Sequence, residues 1–373
     1  MDQIEEIRSA VIRCPLAVPV VFGDWKITHR EFVAVGLRST SGALGFSYCL
    51  TRDGPVKEVI DRTVAPMYLG RGVDEPETSF FRTLWSNHSV HAAGIGMRAL
   101  SIVDIAAWDL ACRTAGESLV ARLGGTRLPL PATAIVGYPP TMSAEETAAQ
   151  VTRLWSDGWR RFKLPIAPTL ASTIARLEAT REAAPEGWIG VDANMTFRSA
   201  AEVIAFAQST SHLNLGWIED IVPPGDASMV RAAREGSGTP IAVGDEQGGS
   251  YFPEALLQVA AANVVRVDVT TDGGITRLRQ ILPKILESGA TFAPHMYAHT
   301  HSRILNGLGL VAPIEWGIPE TGVHPMDDPL EQPRVEDGLM LPLAEGPGIG
   351  DLLHLEWLGT VQVIDPDRLL EWV

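Results

Sequence analysis

The stretch WIGVDANMTFRSAAEVIAFAQSTSHLNLGWIED, residues 188–220, decides the fold of this chain. It begins with an apolar run that ends in Asp192, continues with a helical pattern, and finishes with a second apolar run that ends in Glu219. A strand, a helix and a second strand in this order form a parallel βα unit. The stretch therefore predicts a parallel sheet whose strands end in carboxylates.

The same unit recurs on both sides of this stretch. From Pro131 onward, short apolar runs are followed by loops and amphipathic helical patterns, among them AEETAAQVTRLWSDG and ITRLRQILPKILESG. Eight runs over roughly 190 residues predict a (β/α)₈ barrel near the low end of its usual size. The runs are ATAIVGY, RRFKLP, WIGVDAN, LGWIED, PIAVGD, VVRVD, TFAPH and APIEW.

The segment before the barrel has a different pattern. EEIRSAVIRCPL and EFVAVGLRSTSGALGFSYCL alternate as antiparallel strands do, and two helical patterns follow, the second closed by Gly124 and Gly125. This order predicts an α+β domain over residues 1–127, before a barrel domain over 128–345. The final stretch, LLHLEWLGTVQVIDPDRLLEWV, does not fit another βα unit, so we expect residues 346–373 to return to the N-terminal domain.

Composition excludes several classes of partner. The 373 residues are 46% hydrophobic and 20% charged, as in a globular enzyme, and the formal charge of −15 argues against nucleic acid or an anionic membrane as partner. A small anionic substrate stays open, because local charge decides binding in a pocket. Three cysteines without paired spacing (Cys14, Cys49 and Cys112) fit reduced thiols in a cytoplasmic protein. We also expect the protein to form a homo-oligomer.

Three successive predicted strands end in carboxylates, Asp192, Glu219 and Asp245, spaced 27 and 26 residues apart. Each one taken alone is better explained as a helix N-cap. Together, at the carboxyl ends of barrel strands, they favour a shared site, because converging carboxylates repel unless a cation neutralises them. Oxygen ligands without cysteine or histidine indicate Mg²⁺.

The next two strands end in Asp268 and His295. An aspartate bonded to one ring nitrogen would orient the imidazole and raise its basicity, which makes the pair a candidate for general base catalysis. The alternative for His295 is a capping or packing role after Pro294. His299 and His301 follow the same strand, and we expect them on a helix surface.

Several of these motifs together resemble one family. SIVDIAAWDLACRTAGESLVARLGG, VDAN, WIED, GDEQ, VRVDVTTDGGIT and FAPH, in this order and spacing, are similar to the enolase superfamily, and within it to the mandelate racemase/muconate lactonizing enzyme group. The resemblance covers nearly the whole chain. It implies a modified (β/α)₇β TIM barrel, with an α+β capping domain that the C-terminal tail completes. The eighth strand would then lack a regular helix.

The resemblance also implies roles for individual residues. Asp192, Glu219 and Asp245 match the magnesium ligands, and Asp268 and His295 match the catalytic dyad. Glu315 matches the group that contacts the substrate carboxylate. Asn194, beside the first ligand, is a candidate substrate contact.

One departure from the family decides the expected reaction. Family members commonly carry Lys-x-Lys at the end of the second barrel strand, with the second lysine as a base; here Lys163 keeps the first position and Pro165 takes the second. Two-base racemisation is therefore disfavoured. His295 alone can remove the proton α to a carboxylate and then protonate the β-hydroxyl as it leaves, with Lys163 as a fixed charge. The expected activity is that of a Mg²⁺-dependent sugar-acid dehydratase that forms a 2-keto-3-deoxy acid from an aldonate, aldarate or uronate.

Two other functions stay open. A racemase, epimerase or cycloisomerase would need an unusual second base such as Tyr138, and a magnesium-binding homologue would have no turnover. Which sugar acid binds is not determined by the sequence. Further candidate substrate contacts lie on cap segments: Trp25, Lys26, His29, Arg30 and His91.

Overall fold

The N-terminal part of the chain forms an antiparallel sheet. The computed structural model describes residues 2–22, 25–91, 94–222, 226–244, 246–249, 252–350 and 355–372. Strand β1 (Ile4–Phe22) pairs with β2 (Trp25–Ser39), and β2 pairs with β3 (Leu44–Leu50). The close packing of β3 against a helix depends on Gly45, because an added Cβ would lie 2.4 Å from the backbone nitrogen of Leu110.

Helices cover one side of this sheet. The longest, Ile95–Ala115, ends at Gly116, whose left-handed φ of 70° provides the C-cap, so the helix stops before the predicted Gly124 and Gly125. A short helix then fills the interval. In chain order the helices are α1 (Val56–Val59, continued by a π-helical turn, Ile60–Val64), α2 (Ala65–Tyr68), α3 (Pro76–Ser86), α4 (His88–His91), α5 (Ile95–Ala115) and α6 (Leu119–Arg122).

Eight parallel strands form the barrel, one from each predicted apolar run. The ladder runs from β11 through β4 to β10, and β10 contacts β11 to complete the ring. The strands are β4 (Leu130–Ile135), β5 (Arg161–Pro165), β6 (Trp188–Asp192), β7 (Trp217–Glu219), β8 (Ile241–Val243), β9 (Val264–Val267), β10 (Thr291–Pro294) and β11 (Ile314–Gly317).

Seven α-helices connect these strands. After β11 comes only a 3₁₀ turn (Pro319–Thr321), so the barrel is (β/α)₇β and the first estimate of eight βα units is corrected. A small hairpin, β12 (Val335–Glu336) and β13 (Leu339–Met340), joins the edge of β4. The connecting helices are α7 (Ala144–Ser156), α8 (Leu170–Ala183), α9 (Ala200–Ser209), α10 (Ala227–Ser237), α11 (Glu254–Gln258), α12 (Gly274–Glu287) and α13 (Ala298–Gly307).

The C-terminal segment returns to the cap. Its strand β14 (Gln362–Ile364) pairs with β1 and lies between the short helices α14 (Leu355–Leu358) and α15 (Pro366–Leu370). The predicted fold class, a modified barrel with a cap that the tail completes, is confirmed, whereas the exact domain boundaries stay predictions. No helix in the described ranges is both long and apolar enough to cross a membrane.

Buried polar contacts fix the cap on the barrel. Asp104 in α5 accepts hydrogen bonds from the backbone N–H and the hydroxyl of Thr276 in α12, at 3.0 and 2.6 Å. At the end of β3, the backbone N–H of Leu50 donates to the Tyr297 hydroxyl at 2.8 Å. The end of β3 is therefore held directly over the mouth of the barrel.

Candidate active site

A cavity of about 260 Å³ lies between the cap and the carboxyl ends of the barrel strands. Most of its wall comes from residues that end barrel strands or follow them, and the remainder comes from cap strands and from the loop after β11. The lining residues are Arg30, Leu50, Arg52, Ile135, Tyr138, Lys163, Asp192, Asn194, Met195, Asp220, Glu246, Asp268, His295, Met296, Tyr297, Val323 and His324.

Two of the predicted metal ligands lie side by side in this region. Asp192 ends β6, Glu219 ends β7, and they occupy paired positions of the parallel ladder. One Asp192 oxygen accepts a hydrogen bond from the backbone N–H of Asn194 at 2.9 Å, so Asn194 positions the first carboxylate. Asp245, the third predicted ligand, lies outside the described residues.

The chemistry of this pair fits a hard divalent cation. Glu219 is fully buried, and its Oε2 has no hydrogen-bond partner among the residues that the structure describes. A buried carboxylate oxygen left without a donor is costly. A cation bound to Asp192 and Glu219 would remove that cost, and carboxylate oxygens are the ligands that Mg²⁺ prefers.

Lys163 belongs to a buried cluster of alternating charges. Its Nζ lies 2.8 Å from Oε1 of Glu219 and 2.6 Å from Oε1 of Glu315. Arg266 lies 2.8 Å from the other Glu315 oxygen and 3.5 Å from Glu219. Burial alone would lower the pKa of Lys163, but the two glutamates outweigh it and raise that pKa. The ammonium group is therefore a fixed positive charge.

Glu315, on β11, is the anionic centre of this cluster. Burial would raise the pKa of its carboxyl group, but Arg266 and Lys163 hold that pKa well below its usual range. Its Oε2 also accepts a hydrogen bond from the backbone N–H of Met296 at 3.2 Å, which connects β11 to the loop after β10. Sequence reasoning missed Arg266, although a charged residue inside the apolar run VVRVD was a sign of a buried partner.

Pro165 is buried at the end of β5 and does not line the cavity. Its ring provides no ionisable group at a position two residues beyond Lys163. Tyr138, which follows β4, does line the cavity. Burial, and after it the charge of Asp192, raises the pKa of the Tyr138 phenol, so this side chain is a neutral hydroxyl at neutral pH.

The structure brings His295 and Asp268, the predicted dyad, within hydrogen-bond distance of each other. His295 Nδ1 lies 3.0 Å from Oδ2 of Asp268, and both residues line the cavity. The second oxygen of Asp268 accepts hydrogen bonds from the backbone N–H and the hydroxyl of Thr270, both at 2.7 Å. Asp268 is therefore held by both Thr270 and His295. Because it bonds to Nδ1 of His295, the other ring nitrogen, Nε2, faces away from it.

The expectation that His299 and His301 lie on a helix surface is wrong, since both are buried. His301 Nε2 accepts a hydrogen bond from the backbone N–H of Val269, next to Asp268, at 3.2 Å. His301 Nδ1 lies 2.8 Å from the carbonyl oxygen of Met296, next to His295. Burial lowers the pKa of His301 to about 4, so a neutral imidazole links the two loops that carry the dyad.

A second acidic group stands near the dyad. Oxygens of Glu246, Asp268 and a ring nitrogen of His295 lie within 4.8 Å of one another. Glu246 is already paired with Arg52, at 2.6 Å, and with Arg98. Burial would raise the pKa of Glu246, but the two arginines lower it. This group is therefore an ion-pair network. Glu219, whose Oε2 has no hydrogen-bond donor among the described residues, is the better candidate for a metal ligand.

Strained backbone is concentrated around the cavity. Six of the eleven non-glycine residues with positive φ in the described ranges line it. Such conformations cost free energy and persist where the surrounding structure determines them, which is common at functional sites. The six are Arg52, Asn194, Met195, Asp220, Met296 and Tyr297.

The cap wall differs from what the sequence predicted. Lys26 is exposed and His29 bonds to Asp53 at 3.1 Å, and neither lines the cavity. The side chains of Trp25 and His91 lie outside the described residues. Arg30, also among the candidates, does line the cap side of the cavity, together with Arg52, which the sequence did not single out.

Comparison with known proteins gives the family. Residues 146–356 match the model described as Enolase C-terminal domain-like, and residues 6–124 match the Mandelate racemase / muconate lactonizing enzyme, N-terminal domain. A capped barrel with these two matches is an enolase-type protein. The chain belongs to the mandelate racemase/muconate lactonizing enzyme family, as the resemblance implied.

Curated relatives carry out more than one kind of reaction. The L-talarate/galactarate dehydratase of Salmonella typhimurium is 27% identical over 310 residues, which cover 80% of this chain and 78% of the relative. The D-galactarolactone cycloisomerase of Agrobacterium fabrum is 23% identical over 387 residues, which cover 98% of this chain and all of the relative.

Solved structures agree with the fold. A racemase from Streptomyces coelicolor with bound magnesium superposes with a TM-score of 0.85 at 24% identity, over 96% of this chain and 99% of that one. The Salmonella typhimurium dehydratase liganded with Mg and L-lyxarohydroxamate superposes with a TM-score of 0.83 at 25% identity, over 97% and 94% of the two chains. Magnesium in these neighbours agrees with the expected cofactor.

Proposed function

We propose that this protein is a Mg²⁺-dependent sugar-acid dehydratase that works with a single base. The observation that carries the proposal is the asymmetry of the cavity. One side has the His295–Asp268 pair, and the β5 side has Lys163 locked between two glutamates, with Pro165 beyond it. Two-base racemisation requires a proton carrier on each side of the substrate carbon, and among the described residues His295 is the one that fits this role.

The carboxylate end of the substrate would bind near Asp192, Glu219 and Lys163. Magnesium, held by Asp192 and Glu219 together with Asp245, would stabilise the negative charge that the substrate carboxylate gains when its α-proton leaves. Lys163 adds a second positive charge that the neighbouring glutamates keep in place. Preorganised charge of this kind is commonly the largest contribution to catalysis.

His295 performs both proton transfers in this scheme. Its imidazole removes the proton from Cα, and the electron pair of that C–H bond then forms the Cα–Cβ double bond as the Cβ–O bond breaks. The imidazolium returns its proton to the departing hydroxyl, so water leaves and His295 is neutral again. The enol product rearranges to a 2-keto-3-deoxy acid. Asp268 stabilises the imidazolium between the two transfers.

The relatives named as dehydratases of galactarate, galactonate and rhamnonate support dehydration, and the alternative comes from the cycloisomerase relative. An isomerase would need Tyr138 or another group as a second proton carrier. Tyr138 lines the cavity, but its raised pKa makes it a poor base at neutral pH. Dehydration therefore remains the better proposal.

A mass-spectrometric screen of aldonates, aldarates and uronates in D₂O tests the proposal. We expect a product that has lost one water and gained one solvent deuterium at C3, formed with Mg²⁺, lost with EDTA and restored by Mg²⁺. An isomeric product that has lost no water and is heavier by one solvent deuterium would instead establish an isomerase. The absence of both dehydration and α-proton exchange across the library would overturn both alternatives.

A further inference from the structure

Arg30 is a buried cation on the cap side of the cavity. It lies in β2, is 6% exposed, and lines the cavity together with Arg52. Its Nε is buried without a hydrogen-bond partner among the described residues, and its guanidinium forms no ion pair with them either. An arginine this deeply buried is ordinarily paired.

The carboxylates near Arg30 are all committed elsewhere. Glu31 points to the opposite face of β2, where it bonds to Arg13 at 2.7 Å and to the hydroxyl of Thr51 at 2.7 Å. Asp53 bonds to His29, and both oxygens of Glu246 bond to other arginines. The described part of the chain therefore provides no anion for Arg30.

The pKa of Arg30 reflects its burial without an anionic partner among the described residues. Burial, and next to it the positive charge of Arg52, lowers the pKa of Arg30 to about 10. The guanidinium is still protonated at neutral pH, so the protein keeps a desolvated positive charge. Such a charge is expensive unless a ligand pairs with it.

We propose that Arg30 binds a second carboxylate of the substrate, so that the substrate is a dicarboxylic sugar acid and not an aldonate. The inference rests on the proposed function, which places the first carboxylate at the barrel end of the cavity. A guanidinium pairs with a carboxylate through two parallel hydrogen bonds, a geometry that a terminal hydroxymethyl group cannot reproduce. Arg30 thereby selects the far end of the substrate.

The test compares substrates that differ only at the far end, namely matched hexose-derived pairs such as galactarate with galactonate and glucarate with gluconate. With Mg²⁺, we expect kcat/KM for the best diacid to exceed that of its monoacid partner. Arg30→Gln should lower the diacid value on the order of 100-fold and change the monoacid value little. Arg38→Gln, on the same strand but paired with Glu6 away from the cavity, is the matched control and should change neither.

Wild-type preference for the monoacids, or an equal loss on both substrates in Arg30→Gln, would overturn the inference while the dehydratase proposal stands. Calorimetric titration of the His295→Asn variant with galactarate and galactonate separates the inference about Arg30 from the dehydratase proposal, because it measures binding without turnover. If wild type neither dehydrates any sugar acid nor exchanges its α-proton, the proposed function fails. Binding of the diacid no tighter than the monoacid then overturns the inference as well.

Thermal melting provides a second readout that a structural role would not produce. Arg30→Met removes a buried charge that lacks a partner, so we expect the ligand-free variant to melt at a higher temperature than wild type. Galactarate should raise the melting temperature of wild type more than that of the variant. A variant that melts at a lower temperature would assign Arg30 to the fold instead and overturn the proposal.

Discussion

The two ends of the cavity differ in how their charges are balanced. At the barrel end, Lys163 and Arg266 alternate with Glu219 and Glu315, and all four are buried in contact with one another. At the cap end, Arg30 has no anionic partner among the described residues. The barrel end can hold its geometry without a substrate, whereas the cap end is completed by one.

This difference separates two tasks. A fixed set of charges suits chemistry, because its groups need no rearrangement when charge develops in the substrate. A charge without a partner suits selection, because only a ligand with the opposite charge relieves it. We infer that the barrel end determines the reaction and the cap end determines which acid undergoes it.

The most damaging single change should be Glu219→Gln at the barrel end. The amide would not be a good magnesium ligand and would place a donor near Lys163 and Arg266, which already supply positive charge. We expect activity to fall below detection and magnesium affinity, measured by calorimetry, to fall by about 10-fold or more. Circular dichroism controls for folding. Unchanged magnesium affinity would show that Glu219 is not a ligand.

His295→Asn should have the next largest effect. The asparagine amide can still bond to Asp268, but it cannot carry a proton between Cα and the leaving hydroxyl. We expect dehydration and α-proton exchange in D₂O to fall together by about 10²–10⁴-fold, with magnesium and substrate still bound.

Exchange that persists without dehydration would contradict the single-base scheme. Another residue would then take the α-proton, with His295 acting only on the leaving group. Tyr138→Phe in the same assay identifies the nearest alternative, since Tyr138 lines the same cavity.

The barrel end could be predicted from the sequence because its determinants are local. Each strand is an apolar run, and its last residue points to the same end of the barrel, so Asp192, Glu219, Asp268 and His295 come together once the topology is known. The cap end could be predicted only as a set of five candidate residues, of which Arg30 lines the cavity. Arg30 reaches the cavity only through the packing of β2 over the barrel, which no periodicity describes.

The incorrect expectation for His301 has a similar origin. Its helix, AHTHSRILNG, contains enough polar residues to suggest a solvated face. In the structure those side chains bond to buried backbone groups of neighbouring loops, such as the N–H of Val269. A hydrogen bond to a distant backbone group leaves no trace in the local pattern of polarity.

A smaller effect is expected for Lys163→Arg, which tests whether charge alone is needed at this position. The guanidinium preserves the ion pairs with Glu219 and Glu315 but is larger than the ammonium group in a buried position. We expect turnover reduced by roughly 10- to 100-fold yet measurable, while Lys163→Met, without charge, should be less active. Complete loss of α-proton exchange in the arginine variant, with substrate still bound, would make Lys163 the base.

The smallest expected effect concerns His301, through the dependence of stability on pH. Burial lowers its pKa from 6.5 to about 4 in the folded state, so between these values the unfolded chain binds the proton more readily. The contribution of neutral His301 to stability is therefore fully present above pH 6.5 and is lost as the pH falls toward 4, by at most about 3 kcal/mol.

His301→Gln can keep a donor toward Met296 and an acceptor toward Val269 without titrating. Urea unfolding at pH 7, 6, 5 and 4.5 should show a smaller loss of stability in this variant than in wild type. His301→Phe, which removes both hydrogen bonds, should be less stable at every pH and should also lower turnover, because the loops of Asp268 and His295 lose their common support. Parallel pH curves for wild type and the glutamine variant would show that folding does not lower the pKa of His301.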